Sequence, residues 1–166
     1  GNLAQRSLSM IFKNLDGKLS AFESAEADAA LLATVQAACA DEFPAAFGAL
    51  DLSGAIEAWM KAVFTCNQYV DEQAPWTLRK TDPERMRVVL MTLFSAVRSL
   101  AIAIRPVVPA SADRLLDQMG IPAVARDFAA LGATNWLDEL LDGGFTLVQP
   151  FGVFPRLELP ADEAAE

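Results

Sequence analysis

Histidine is absent from all 166 residues, and cysteine occurs twice, as the isolated Cys39 and Cys66. With no histidine and no Cys-x-x-Cys pair, a zinc site is excluded on ligand supply. The same absence removes the commonest general acid–base group, and no other residue pattern offers a serine or cysteine nucleophile a good base. The two thiols read as small buried apolar residues of a protein kept in the reducing cytoplasm. No uninterrupted apolar run approaches the roughly 20 residues of a membrane span. No basic segment leads into an apolar core at the amino end, so no secretory leader is read. The chain has no initiator methionine and starts mid-pattern at Gly1-Asn2, as a piece of something longer does. Positive charge is also scarce: 13 Lys and Arg face 22 Asp and Glu, a net charge of −9. That balance argues against a nucleic-acid binder that works by gripping phosphates along its surface. The objection weakens where a few unpaired bases are held and other domains carry the rest of an RNA.

Apolar residues make up 53% of the chain, enough for one domain with a real core. Their spacing is helical almost throughout. A first helix runs from Asn2 to Asn14 with Leu3, Leu8, Ile11 and Phe12 inward, and stops at Asp16-Gly17. An alanine-rich helix starts near Ala25 and turns Leu31, Leu32, Val35 and Cys39 to the core, until Pro44 kinks or interrupts it. A third, roughly Leu52 to Asp71, carries Ile56, Trp59, Met60, Val63, Phe64 and Val70 at spacings of three and four. Asp82-Pro83-Glu84 is a strong helix start, an N-cap acid followed by proline at the first helical position. The helix it opens runs to just before Pro106. Shorter helices follow from Pro109 to about Met119 and from Trp136 to Leu141, and the segment up to Pro155 reads as an irregular return strand. The fold class expected is all-α, a helical bundle, over residues 1–160. Residues 161–166 read as an acidic, disordered tail.

Two segments stand out. Tyr69-Val-Asp-Glu-Gln-Ala-Pro-Trp76 ends an apolar helix, breaks it with proline and leaves a large aromatic at the break. Ala74, before the proline, is pushed away from the α conformation, so the chain must turn there. Trp76 then has two readings on sequence alone, a base-stacking platform in solvent or a cap on the core. Trp59 and Trp136 lie on apolar helical faces and are assigned to packing. The second segment, Asn2-Leu-Ala-Gln-Arg6, sets an amide and a guanidinium four residues apart on one helical face, which is also ordinary helix surface. Arg79, Lys80, Arg85 and Arg87 follow Trp76; on charge alone they are a solvated face. The other acids, Glu23 to Asp28 among them, are placed away from this region. Asp71 and Glu72 make no acid–base pair, and Asp71 sits unfavourably near a helix carboxyl end.

Together these segments resemble the anticodon-binding domain of bacterial methionyl-tRNA synthetase, a class I aminoacyl-tRNA synthetase. The octapeptide ending at Trp76 is the specific part. The resemblance continues through Thr77-Leu-Arg-Lys-Thr-Asp-Pro-Glu84 and, less sharply, to Gly120 and Phe154-Pro-Arg156. It implies an anticodon-binding helical bundle of the class I type that recognises the cytosine-adenine-uracil anticodon of methionine tRNA. Trp76, after Pro75, occupies the place of the family's base-stacking tryptophan, and Asn2 and Arg6 that of residues reading the first anticodon base. It also implies that the site residues are Asn2, Arg6, Pro75 and Trp76 and converge on one concave surface, with Trp76 exposed and Trp59 and Trp136 largely buried. The family's catalytic signatures, of His-Ile-Gly-His and Lys-Met-Ser-Lys-Ser type, are missing. The expectation is therefore no catalytic residue, metal or cofactor in this chain, with ATP and Mg handled by the parent ligase. The expected partners are tRNA and the parent's catalytic domain, with no membrane, for a cytoplasmic monomer. Rival readings are the same domain of a sibling class I synthetase or paralogue, and an all-helical protein–protein interaction module.

Overall fold

A computed structural model describes residues 2–154, and the expected acidic tail at 161–166 lies outside the described residues. Eight α-helices are found there: α1 (Asn2–Leu15), α2 (Glu26–Gln36), α3 (Phe43–Gly48), α4 (Leu52–Gln73), α5 (Pro75–Thr81), α6 (Pro83–Ile104), α7 (Pro109–Gln118) and α8 (Trp136–Asp142). Among the described residues the only β pairing is a single antiparallel bridge between Lys18 and Thr146. The all-α bundle expected from periodicity is what forms.

The bundle is organised around α6. Asp82 caps it by accepting a hydrogen bond from the Arg85 amide at 3.0 Å, and Pro83 occupies its first position, as the sequence predicts. From Met86 to Ile104 nearly every side chain is buried, against α1, α2, α4, α5 and α7. By length and composition α6 is apolar enough to cross a membrane, but most of that apolar surface is already covered by the other helices. It is a core helix.

Pro44 acts one turn earlier than a simple break would. A proline has no amide to donate four residues back, so Ala37–Glu42 widens into a π-turn and the Phe43 amide donates to the Ala38 carbonyl. The chain then continues as α3. Two residues past its end, Leu50 is 85% exposed and held at φ 63°, in left-handed backbone that costs a non-glycine residue about 1–2 kcal/mol. Leu50→Gly should therefore raise stability by roughly 0.5–1 kcal/mol after the extra freedom of the unfolded chain is subtracted. A melting curve should show Tm rising by about 1–4 °C, and an unchanged or lower Tm would contradict the strain.

α4 departs from the sequence reading. Met60 and Phe64, expected on its inner face, are 51% and 70% exposed, and the buried line is Ala55, Ala62, Cys66, Tyr69 and Val70. The buried residues of α4 share the core clusters with α6, while Met60 and Phe64 stay in solvent. Trp59 is mostly buried, packed against the core with its indole N–H donating to the Leu100 carbonyl at 2.9 Å. Trp136 is likewise mostly buried. It stacks near Phe94, and the Arg98 guanidinium lies 4.5 Å above its ring. Arg98 itself is buried and donates to the Ala130 carbonyl, and burial pulls its pKa down to about 10, so it remains charged at neutral pH.

Cys39 and Cys66 are both buried free thiols. Burial pushes each up to about 12, with Cys66 adding to the effect on Cys39, which leaves both inert at neutral pH. The segment after α8, expected as an irregular return strand, is irregular and tied to the bundle at several points, with the Gln5 side-chain amide donating to the Pro150 carbonyl at 3.2 Å and the Phe151 amide to Gln118 Oε1 at 2.8 Å. The Leu147 amide donates to the Gly17 carbonyl at 2.8 Å, and a Cβ at Gly17 would stand 2.1 Å from the Leu147 carbonyl oxygen. Gly17 also sits at φ 71°, so this contact admits no side chain.

Candidate nucleic-acid interface

The first turns of α1 and the end of α4 meet at one edge of the bundle. Leu3, Ala4, Ser7 and Leu8 are buried, which turns Asn2 and Arg6 to solvent on the opposite face of α1. Arg6 Nη2 lies 4.0 Å from Asp71 Oδ1 in the last turns of α4, and both side chains are exposed. An exposed pair at that distance contributes little to stability. Its value is positional, since it sets the Arg6 guanidinium beside the helix end. It also supplies the compensating cation that Asp71 lacks in the sequence reading, where an acid faces a helix carboxyl terminus.

The bend that follows is tighter than a turn. Ala74 alone leaves α4, with φ 43° and ψ 60°, and its amide still donates to the Val70 carbonyl at 3.0 Å. Pro75 then starts α5 at once, where its fixed φ and missing N–H suit a first helical position. The polar segment after Trp76 is therefore helical, where the sequence suggests only a turn. Pro75 is buried, the one of the four residues expected at the site with no exposed surface of its own. Its part is to aim the next side chain. Trp76 is 50% exposed, a large aromatic face in solvent at the start of a short helix.

Of the four cations after Trp76, two are already committed. Arg85 forms a bidentate pair with Asp28, at 2.6 and 2.7 Å, and Arg87 pairs with Glu84 while donating to Ser20 and the Ala21 carbonyl. They are structural ion pairs and not the solvated face that charge alone suggests. Arg79 and Lys80, on α5 with Trp76, are exposed and have no carboxylate partner among the described residues.

Asp28 is the residue that sequence reasoning misplaced. Grouped with the remote surface acids, it is fully buried, accepting from Arg85, from the Tyr69 hydroxyl and from the Ala25 amide. Burial by itself would push its carboxyl up. The hydrogen bonds from Arg85, Tyr69 and Ala25 and the Arg85 charge together outweigh that and hold it below the usual carboxylate range. A signal was available: Asp28 stands three and seven residues before Leu31 and Val35, on the same buried stripe of α2.

Residues 20–163 match the family described as the anticodon binding domain of methionyl tRNA ligase. The chain belongs to that family. The matched span begins after α1, but relatives named methionine–tRNA ligase extend the likeness over the Asn2 and Arg6 helix. That of Mesorhizobium japonicum is 43% identical over 99% of the chain, and that of Mycobacterium tuberculosis 42% identical over 96%. The apo structure of Mycobacterium tuberculosis methionyl-tRNA synthetase superposes with a TM-score of 0.81 at 40% identity, covering 96% of this chain and 32% of that one. A second structure of that synthetase, bound by methionyl-adenylate, gives a TM-score of 0.80 at 40% identity, over 93% of this chain and 30% of that one. The chain thus spans 31% of the Mesorhizobium relative's length and 30% of the Mycobacterium one. The domain of a methionyl-tRNA ligase that meets the anticodon is the part in view.

Proposed function

We propose that this domain reads the cytosine-adenine-uracil anticodon for a longer methionine–tRNA ligase, with Trp76 stacking on a splayed base and Asn2 and Arg6 reading the first base. The observation that carries the reading is the half-exposed Trp76 projecting from the helix that begins just after the α4 end where Arg6 is held. A guanidinium can donate to the cytosine carbonyl and ring nitrogen, and the Asn2 amide offers a donor or an acceptor. Asn2 lies one turn before Arg6 on the same exposed face. Pro75 contributes by aiming Trp76. The ligase reaction, with its ATP and Mg, is assigned to the part of the parent outside this chain, in the cytoplasm, with the parent acting as a monomer.

This arrangement also reconciles RNA binding with the net charge of −9. Affinity comes from stacking, roughly 1–3 kcal/mol per base, with base-edge hydrogen bonds from Asn2 and Arg6 and a small number of exposed cations, Arg6 on α1 and Arg79 and Lys80 on α5, to meet phosphates. Few phosphate contacts mean a shallow dependence on salt.

The test is equilibrium binding of methionine-tRNA anticodon stem-loops whose first anticodon base is cytosine or uracil. The wild-type parent should prefer cytosine by about tenfold or more, from the ~1–3 kcal/mol of a good base-edge pairing. Arg6→Ala should reduce that preference more than it reduces binding of the uracil loop. No preference in the wild type would refute the reading.

A further inference from the structure

We propose that Gln73 and Arg85 are positioning residues for the Trp76 platform, with Arg85 locked by Asp28 and acting through the Gln73 side-chain amide. The inference rests on the reading of Trp76 given above and adds what holds that side chain in place.

The geometry runs in one connected line. Both Asp28 oxygens are occupied: Oδ1 accepts from Tyr69 and Arg85 Nη2, and Oδ2 from Arg85 Nη1 and the Ala25 amide. A fully buried carboxylate with four donors is a fixed point, and the bidentate pair fixes the plane of the guanidinium. The Arg85 backbone is held too, by the Asp82 cap. The guanidinium edge not facing Asp28 points at one acceptor. Nε and Nη2 donate to Gln73 Oε1 at 3.3 and 2.7 Å. Gln73 is the last residue of α4, and after it come only Ala74, Pro75 and Trp76.

A left-handed alanine does not sustain a bend unaided, because its Cβ crowds the following carbonyl. Both sides of Ala74 must be held. On one side α5 packs against α6. On the other, the Gln73 bond ties the end of α4 to Arg85 on that same α6. Asp71, 4.0 Å from Arg6, lies in the same last turn of α4 as Gln73. The line from Asp28 thus sets the angle between α4 and α5, and with it the placement of Trp76 relative to Arg6.

Gln73→Leu separates this role from plain structural support, because it removes the amide link and leaves the Asp28, Arg85 and Tyr69 cluster whole. In the full-length ligase, KM for methionine tRNA should rise about three- to tenfold, with kcat and tRNA-independent pyrophosphate exchange unchanged. Tm should stay at the wild-type value. In the 166-residue chain, the Trp76 indole N–H resonance, assigned with Trp76→Phe, should broaden or shift while those of Trp59 and Trp136 stay put. Unchanged KM and an unchanged Trp76 resonance would overturn the inference. So would parallel losses in Tm, exchange and tRNA use, which describe a fold defect. If the wild type shows no anticodon preference, the functional reading fails, and the Trp76 resonance alone still decides whether Gln73 positions it.

Discussion

Trp76→Ala in the full-length ligase is expected to lower tRNA-dependent aminoacylation efficiency by about tenfold or more while leaving methionine activation intact. The size follows from the lost stack, roughly 1–3 kcal/mol, because 1.4 kcal/mol is a factor of ten in efficiency. The separation of the two reactions follows from where Trp76 sits. On the proposed reading, forming the adenylate needs only methionine and ATP, whereas charging also needs the anticodon gripped by this domain. The loss should fall mainly on KM for tRNA. Folding should change little, because half of the Trp76 surface is already in water. Trp76→Phe keeps a smaller aromatic face and should retain part of the efficiency, which distinguishes stacking from simple bulk. Equal losses in aminoacylation and pyrophosphate exchange would mean that Trp76 supports the fold. Wild-type charging by Trp76→Ala would place the stacked base elsewhere.

How far the sequence foretells this site depends on the range of the interactions involved. The α6 start was legible because an acid, a proline and another acid within three residues make a local signal, and the cap forms as written. The proline break before Trp76 was equally local, but whether the ring ends in solvent depends on what packs over it. Only the resemblance favoured exposure, and Trp76 is 50% exposed. The meeting of Arg6 with Asp71 joins residues from opposite ends of the first half of the chain, and no local pattern encodes it. On α4, apolar residues at spacings of three and four do not by themselves tell which of them face the core. The buried line runs through Ala55, Ala62 and Cys66, and the larger Met60 and Phe64 stay outside. Asp28 was the clearest failure. Its spacing to Leu31 and Val35 marked it as inward, but an acid on a buried face is rare without a partner, and its partner Arg85 lies 57 residues away. Arg85 and Arg87 were misread for the same reason, since a charge run shows its sign but not its partners.

The second large effect is expected at Asp28, where Asp28→Ala should destabilise the domain by about 3 kcal/mol and lower Tm by roughly 6–12 °C. Removing one member of a buried ion pair strands the other, a loss of about 3–5 kcal/mol. The Arg85 side chain is 21% exposed and can recover some hydration, which argues for the lower end. Tyr69 loses its acceptor at the same time. Adding Arg85→Met should restore part of the stability, because no uncompensated charge then remains. The pH dependence has a definite sign. Asp28 has its carboxyl held below the usual range in the folded chain, so acid protonates it first in the unfolded chain, near pH 4. Its contribution is therefore fully present above about pH 5 and is lost as pH falls through 4 toward the folded value. Glu84 and Asp113 are also held low by arginine partners, and their stabilising contributions are lost in the same window in wild type and variant alike. The informative quantity is the difference between wild type and Asp28→Asn in denaturant unfolding, measured from pH 7 down to pH 3. That difference should be constant at the upper end and shrink below pH 5. A difference independent of pH would show that the charge on Asp28 contributes nothing, and that the network stands on its neutral hydrogen bonds.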